Sequence, residues 1–383
     1  MKKLIVGITA PGSVVLIEGQ LKYFKEIGYK TYLLAPKTER VIEYCEREGC
    51  ELLAVQLERE ISLFSDLKAL FQIFIHFARI RPDVINLGTP KVSLLGMFAG
   101  KLLGVKTRIY TCRGFRFEHE KGNKRAILLK MEKITAKFSH RIICISESVK
   151  QLGLENSLFL ESKTIVINKG SSNGFDLDKF NPISVDNNLK LQTKNGLKYT
   201  NNNFVFGFVG RLVDRKGINE LYFAFDKLYK NNDNLRLLIV GPIEFAQISD
   251  KTLIDKYKNH PGINLVGSQS NVPLYLSLMD VFILPAWWEG FGNVSVQAAA
   301  MGLPVISTDV TGSRDAVSKD FNGLLIEVKS IDKLKEAMIQ LYNNEELRTK
   351  LGNNGLVWAK NFDNKVIWEG MDNLFKTTNC NLI

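Results

Sequence analysis

Apolar positions along the chain fall into short continuous runs, separated by stretches with apolar residues three and four apart. Lys3–Thr9 is the first run and predicts a strand. Val14–Ile27 carries helical spacing and stops at Gly28. The alternation continues through strands at Lys30–Ala35, Cys50–Val55, Val84–Leu87, Lys106–Tyr110 and Arg141–Ile145, with helices between them. Phe64–Ile80 is the longest of these helices and Pro82 halts it. Around Pro182–Asn203 the pattern lapses into Asn, Lys and Thr, as between domains. A second series then sets strands at Phe204–Val209, Leu235–Val240, Ile263–Val266, Val281–Leu284, Pro304–Ser307 and Gly323–Ile326. Helices at Ile331–Tyr342, Glu346–Lys360 and Lys365–Phe375 close the chain.

Strand–helix alternation of this kind predicts parallel sheets covered by helices on both faces. The expected fold class is α/β, with two Rossmann-like doubly wound domains facing a central cleft. The first spans 1–182, a linker spans 183–203 and the second domain spans 204–364. A terminal helix over 365–383 is expected to cross back to the first domain. Doubly wound sheets take ligands at the carboxyl ends of their strands, so the cleft is the expected site.

Composition changes this picture in one respect. Lys and Arg outnumber Asp and Glu by 51 to 40, a net charge of +11, which favours phosphorylated ligands or an acidic membrane surface. The cations gather in loops after strands and not among stacking aromatics, which argues against nucleic acid. The five cysteines, Cys45, Cys50, Cys112, Cys144 and Cys380, show no CxxC spacing and fit structural thiols of a reducing compartment. The opening MKKLIVGITAPG is too short and too soon broken by a Gly-rich turn for a signal peptide. No apolar run reaches the roughly 18 residues that cross a bilayer. A cytoplasmic chain, peripheral on the inner face of the cell membrane, is expected. Leu67–Arg79 is apolar on a broad face with basic residues near its ends; it either packs inside its domain or docks on anionic lipid. His76 on that helix reads as a core or edge residue.

The segment EGFGNVSVQ, Glu289–Gln297, follows the strand VFIL and opens a helix. Gly290 and Gly292 let the backbone approach a ligand, and the helix start offers free N–H groups and a positive dipole end. Glu289 can accept from sugar hydroxyls, or simply complement the dipole. Gln297 lies one turn beyond Asn293 on the same face. In FVFGFVGRLVDRKGI, Arg211 and Lys216 leave the carboxyl end of a strand, where two cations can neutralise a diphosphate. Trp287 and Trp288 either stack on a sugar or fill the core.

The combination GRL…DRKG, then VGP at 240–242, MDVFILPA, and EGFGNVSVQAAAMGLPVISTDVTGSRDAV resembles family 4 of the retaining glycosyltransferases, densely over Phe204–Val328. That resemblance implies the two-domain GT-B fold and a nucleotide-sugar donor. It implies that Arg211 and Lys216 hold the donor diphosphate and that Glu289 contacts the donor sugar. It gives the backbone of Gly290, Phe291, Gly292, Asn293 and Val294 to sugar and phosphate. Gly241 belongs to the donor site, and Val266-Gly267 frames the base. The family's second Glu, which contacts the ribose, is Gln297 here; the change costs on the order of 1 kcal/mol of donor binding and leaves bond breaking alone.

In the first domain, Gly12 and Ser13 follow the first strand and can face the donor phosphates. YTCRGFRFEHEKGNKR follows another strand and carries Arg113, Gly114, Arg116, Glu118 and Lys124. Many family members have His-Gly where this chain has Arg113-Gly114; an arginine cannot serve as a base but can grip a phosphate. His119 reads as a surface residue. The RGFRFE…KGxKR form resembles the branch acting on lipid-linked sugar diphosphates in capsule, O-antigen and glycan assembly. That makes these residues, with Lys169 and Ser171, acceptor-binding candidates; Lys91 is a weaker one. No Asp-x-Asp pair stands where a metal–diphosphate bridge is expected, so neither metal nor cofactor is called for. The expected partners are a nucleotide-sugar and a lipid-linked saccharide acceptor. A nucleotide-sugar epimerase of the same architecture, or a non-catalytic relative, remains open at this point. That no GxGxxG follows a strand argues against a hydride-transferring enzyme.

Overall fold

The computed structural model describes residues 1–58 and 62–380, apart from the side chains of Leu63, His119, Asn379 and Cys380. The expectations for His119 and Cys380, and for the terminal helix beyond 380, lie outside the described residues. The chain divides into two compact units, Met1–Gly174 with Asn364–Ile383, and Phe175–Asp363.

The first unit holds strands β1 (Lys2–Gly7), β2 (Tyr29–Ala35), β3 (Glu51–Ala54), β4 (Val84–Leu87), β5 (Thr107–Cys112), β6 (Arg141–Cys144) and β7 (Thr164–Ile165). Its helices are α1 (Gln20–Glu26), α2 (Glu39–Glu48), α3 (Leu63–Ile80), α4 (Pro90–Leu102), α5 (Gly122–Phe138) and α6 (Glu147–Glu155). The strands are parallel in the order β3-β2-β1-β4-β5-β6-β7. Side chains alternate across a strand, so Ile5 enters one core and Leu4 and Val6 the other. The Ile5 face is covered by Ala69, Ile73 and Phe77 of α3 with residues of α4 and α5. The other face takes Leu21 and Phe24 of α1 together with Trp368, Met371 and Phe375 near the chain's end.

The second unit holds α7 (Asn187–Gly196), β8 (Phe204–Val209), α8 (Ile218–Tyr229), β9 (Leu235–Val240), α9 (Thr252–Asn259), β10 (Ile263–Leu265), α10 (Val272–Leu276) and β11 (Val281–Leu284). It continues with α11 (Asn293–Ala300), β12 (Val305–Thr308), α12 (Ser313–Ala316), β13 (Gly323–Ile326), α13 (Ile331–Asn343) and α14 (Glu345–Ala359). The strands are again parallel, in the order β10-β9-β8-β11-β12-β13. The last helix, α15 (Asn364–Cys380), returns to the first unit. Its Asp372 accepts from the Tyr29 hydroxyl at 2.8 Å.

Two expectations need correction. Val14–Ile27 is not one helix: a 3-10 turn covers Pro11–Leu16 and α1 starts only at Gln20. Gly19 between them has φ +73, and a Cβ there would sit 2.9 Å from the Trp368 ring, so packing sets the break. Nor is 183–203 a bare linker. Asp186 accepts from the amides of Asn188 and Leu189 at 2.8 and 3.0 Å and starts α7, which belongs to the second unit.

Candidate active site

Each sheet changes winding direction once, between β1 and β4 and between β8 and β11. The carboxyl ends of those strands are where such sheets take ligands. In the second unit the edge is built on glycines. Gly241, after β9, has φ +143, and a Cβ there would lie 1.9 Å from the Gly210 carbonyl after β8. The Gly241 amide donates to the Gly267 carbonyl at 2.8 Å, and Val266 donates to Ile239 at 3.1 Å, which brings the β10 end alongside. Gly217, at φ +71, lets the Asp214–Lys216 turn approach the carbonyl of Pro285, just past β11; a Cβ would come within 2.0 Å of it.

That approach decides where Lys216 goes. Its ammonium ion-pairs with the Glu289 carboxylate, with side chains only 13% and 12% exposed. Arg211 donates to both oxygens of Glu244, which follows β9. Arg215 lies over the Trp288 ring at 5.9 Å; burial draws its pKa down while Glu289 opposes the change. Trp287 is held by the protein itself. Its indole donates to Glu220 at 3.1 Å, and the Lys329 ammonium stands 4.2 Å from the ring centre.

The EGFG loop is laid against the loop after β12. Glu289 donates its amide to Thr311 at 3.2 Å, and Gly292 donates to Gly312 at 3.4 Å. Gly312, at φ +75, passes so close that a Cβ would meet the Glu289 and Gly290 carbonyls at 2.5 and 2.6 Å. Phe291 is an anchor: it is buried, its ring centre 5.3 Å from that of Phe362 and tilted by 45° to it. Asn293, Val294 and Gln297 ride half-buried on α11. The hydroxyls of Ser295 and Ser313, beside this helix start, are buried with no hydrogen-bond partner among the described residues. The edge thus gathers Arg211, Arg215 and Lys216, the carboxylates of Glu244 and Glu289, and a helix N-terminus, which suits a sugar carrying a diphosphate.

In the first unit, Gly12 and Ser13 sit in the 3-10 turn after β1; Gly12 is exposed with nothing near its Cβ position. Thr9 and Thr89 share a hydroxyl hydrogen bond at 2.7 Å across the β1–β4 switch. Arg113, after β5, folds back over Gly88, after β4, and donates to its carbonyl. Any side chain at 88 would overlap the guanidinium. Burial pushes the Arg113 pKa down to about 10, and its Nε has no partner among the described residues.

The basic segment is therefore not one open anion grip. Arg113 is half-buried against Gly88, while Arg116 is exposed on a 3-10 turn and Glu118 is half-buried. Lys124 pairs with Glu120 at 2.6 Å in the first turn of α5. Lys169 is exposed. Ser171 is buried at φ +85, accepts from the Gly174 amide at 3.0 Å and builds a turn. Lys91 is buried and paired with Asp66 at 2.7 Å. Among the described residues no cluster of three or more His, Cys, Asp or Glu is placed to hold a metal ion, and no helix is long and apolar enough to cross a membrane.

Residues 191–358 match the glycosyl transferases group 1 family, and residues 12–166 match the glycosyl transferase 4-like domain. The chain is 35% identical to the capsular polysaccharide biosynthesis glycosyltransferase CapM of Staphylococcus aureus, over 98% of its own length and 97% of the relative's. The chain belongs to the group 1 glycosyltransferases. It is also 30% identical to an Escherichia coli UDP-Gal:alpha-D-GlcNAc-diphosphoundecaprenol alpha-1,3-galactosyltransferase, over 88% of this chain and 84% of that one. Among solved structures, Anabaena HepE in complex with UDP superposes with a TM-score of 0.82 at 17% identity, over 98% of this chain and all of that one. The fold is GT-B, and the resemblance to family 4 carried by the EGFG segment holds.

For this glycosyltransferase, sequence reading missed Glu244, Arg215, Gly217 and Gly312. Arg215 was in view, within DRKG. Glu244 and Gly312 follow other strands, and only the folded edge brings them beside Arg211 and Glu289.

Proposed function

We propose that this glycosyltransferase moves a hexose or N-acetylhexosamine from a UDP-sugar to a lipid-linked saccharide in surface polysaccharide or glycan assembly, with retention of configuration and without a metal or other cofactor. The observation that carries this reading is the pairing of Lys216 with Glu289 at the carboxyl edge of the second sheet. It puts a cation for phosphate and a carboxylate for sugar hydroxyls side by side. UDP is favoured by the UDP-bound HepE structure. The acceptor class is favoured by the E. coli relative and by a 25% identical Campylobacter jejuni N,N'-diacetylbacillosaminyl-diphospho-undecaprenol transferase that covers 91% of both chains.

In this scheme Arg211, Lys216 and the start of α11 stabilise the leaving nucleoside diphosphate. Glu289 and the backbone of Gly290 to Val294 orient the sugar, with Gln297 at the ribose and Val266-Gly267 at the base. The bond from the anomeric carbon to the phosphate oxygen breaks. An acceptor oxygen bonds to that carbon on the same face, and the departing phosphate oxygen takes the acceptor proton. Gly12 and Ser13 complete the phosphate contacts. Arg116, Lys124 and Lys169 meet the acceptor's diphosphate, and Arg113 with Gly114 shapes its seat. The enzyme works peripherally, at the inner face of the cell membrane. The test is incubation with UDP-hexoses and UDP-N-acetylhexosamines and a short lipid-diphosphate saccharide, in chelator. A lipid product longer by one sugar in the α configuration supports the reading. A new sugar isomer formed without acceptor would replace it with epimerisation.

A further inference from the structure

Five residues, Pro285 to Glu289, carry the chain from the end of β11 to the EGFG loop. The near end is pinned to β12. The Ser307 hydroxyl donates to the Leu284 carbonyl at 3.1 Å, and the Thr308 hydroxyl donates to that of Ala286. The far end is pinned by the Glu289 amide, which donates to the Thr311 carbonyl at 3.2 Å. Trp287 lies between the two and is tied elsewhere. Its amide donates to the Arg215 carbonyl at 2.8 Å, and its indole donates to the Glu220 carboxylate at 3.1 Å. Arg215 and Glu220 flank Lys216, one on the turn that carries it and one in the first turn of α8. So the residue two places before Glu289 is bound twice to the piece of chain that presents Lys216.

Packing alone does not account for Glu220. It is only 6% exposed, and its Oε2 has no hydrogen-bond partner among the described residues. A buried carboxylate with one oxygen unsatisfied costs stability, offset in part by its place near the positive end of α8. A leucine would fill the same space with no charge to desolvate, as the neighbouring Leu221 does. The indole is also held on its face. The Lys329 ammonium stands 4.2 Å from the Trp287 ring centre, and Lys329 itself sits at φ +60, a left-handed conformation that side chains other than glycine's seldom take. Two groups placed at a cost converge on one ring.

We propose that Glu220 is a positioning residue for the donor sugar: through the Trp287 indole it fixes the segment that ends in Glu289, and so sets the pose in which Glu289 receives the sugar hydroxyls. The inference rests on the reading of Glu289 as the group that meets the sugar. Glu220 does not itself touch the donor, being buried beside the indole. Trp287 is support and not a stacking surface, since its N–H is taken by Glu220 and Lys329 stands against its ring. A site that must hold a carboxylate to a fraction of an ångström needs such backing from residues behind it.

The consequence is selective. Removing the Glu220 oxygen releases the indole and loosens the segment before Glu289. It leaves the Asp214–Lys216 turn seated, because Gly217 still packs that turn against the Pro285 carbonyl. Arg211 and Lys216 therefore keep their hold on a diphosphate while the grip on the sugar slackens. A clamp that served only the fold would act differently: its loss would lower the unfolding temperature and weaken every ligand of the edge alike.

The test compares wild type, Glu220→Leu, Glu220→Gln and Trp287→Phe in the full chain. Calorimetry gives the affinity for UDP and for UDP-glucose, UDP-galactose and their N-acetyl counterparts; turnover of the same sugars and the unfolding temperature are measured beside it. The expected result is that Glu220→Leu and Trp287→Phe bind the preferred UDP-sugar about fivefold more weakly, the worth of one hydrogen bond, and turn it over about tenfold more slowly. UDP affinity stays within about twofold in both, and Glu220→Leu unfolds no lower than wild type. Glu220→Gln, which keeps an acceptor for the indole, stays close to wild type. UDP-sugar binding unchanged in Glu220→Leu and Trp287→Phe overturns the positioning role and leaves the transfer reading standing. So does a loss shared equally by UDP and UDP-sugar with a lower unfolding temperature in Glu220→Leu, or a Glu220→Gln as impaired as Glu220→Leu. The sugar-selective loss in a chain whose wild type binds UDP-sugars but turns none over keeps the positioning role and overturns the transfer reading. A wild type that binds no UDP-sugar overturns both.

Discussion

Arg211 donates from one guanidinium nitrogen to both oxygens of Glu244, at 2.9 and 2.8 Å. A diphosphate held by Arg211 competes with that carboxylate. The two side chains are 42% and 30% exposed, so the pair is worth at most about 1 kcal/mol. Glu244→Gln is expected to tighten UDP binding by about threefold, read by calorimetry. Weaker binding would show that Glu244 holds Arg211 in its binding pose instead.

Lys216 and Glu289 are more deeply set, so removing one leaves the other charged and poorly solvated. Lys216→Ala is expected to lower turnover by roughly 10²–10³-fold and to lower the unfolding temperature. The double variant Lys216→Ala/Glu289→Gln is expected to recover stability without activity. Recovery of both together would place the pair in folding and not in transfer. Arg211→Ala is expected to cost turnover by a similar factor with little change in unfolding temperature.

By the resemblance to family 4, Gln297 takes the position expected of a ribose-binding carboxylate. Gln297→Glu is expected to lower the KM for the nucleotide sugar about fivefold, near 1 kcal/mol, and to leave kcat unchanged. A change in kcat alone would move this position from donor binding to the chemical step.

Glu132 gives the fold a pH dependence. It is buried under β5 and accepts from the Tyr110 hydroxyl at 2.7 Å. Burial raises its pKa from 4.5 to about 7, partly offset by that hydrogen bond. A carboxyl that stays protonated in the fold but ionises in the unfolded chain contributes its full stability below pH 4.5. That contribution is lost as pH rises through about 7. The loss is on the order of 3 kcal/mol. Glu132→Gln, unfolded across pH 4.5 to 8, is expected to show a flatter profile than wild type; parallel profiles would contradict the assignment.

The strands were legible because a parallel strand buried on both faces reads as an unbroken apolar run, as Val281–Leu284 does. α7 was not, because none of its residues is buried and it leaves no periodic trace. The start of α1 depends on Trp368 beneath Gly19, a contact no local window contains. At the site, Glu289 and Lys216 lie in short continuous segments whose geometry follows from the adjacent strand, so both could be named. Arg113 could be named but not posed, because its fold-back depends on the missing side chain at Gly88 on the neighbouring strand. Glu244 carried no signal until Arg211 was seen beside it.

The central claim is that cations of the second unit take the place of a metal in holding a nucleotide sugar. Its most direct test is thermal unfolding of wild type and Lys216→Ala against UDP-, GDP- and ADP-sugars, with and without chelator. The account predicts that a UDP-sugar stabilises the wild type equally in chelator and that Lys216→Ala loses the effect. Stabilisation that vanishes in chelator, or persists undiminished in Lys216→Ala, would contradict it.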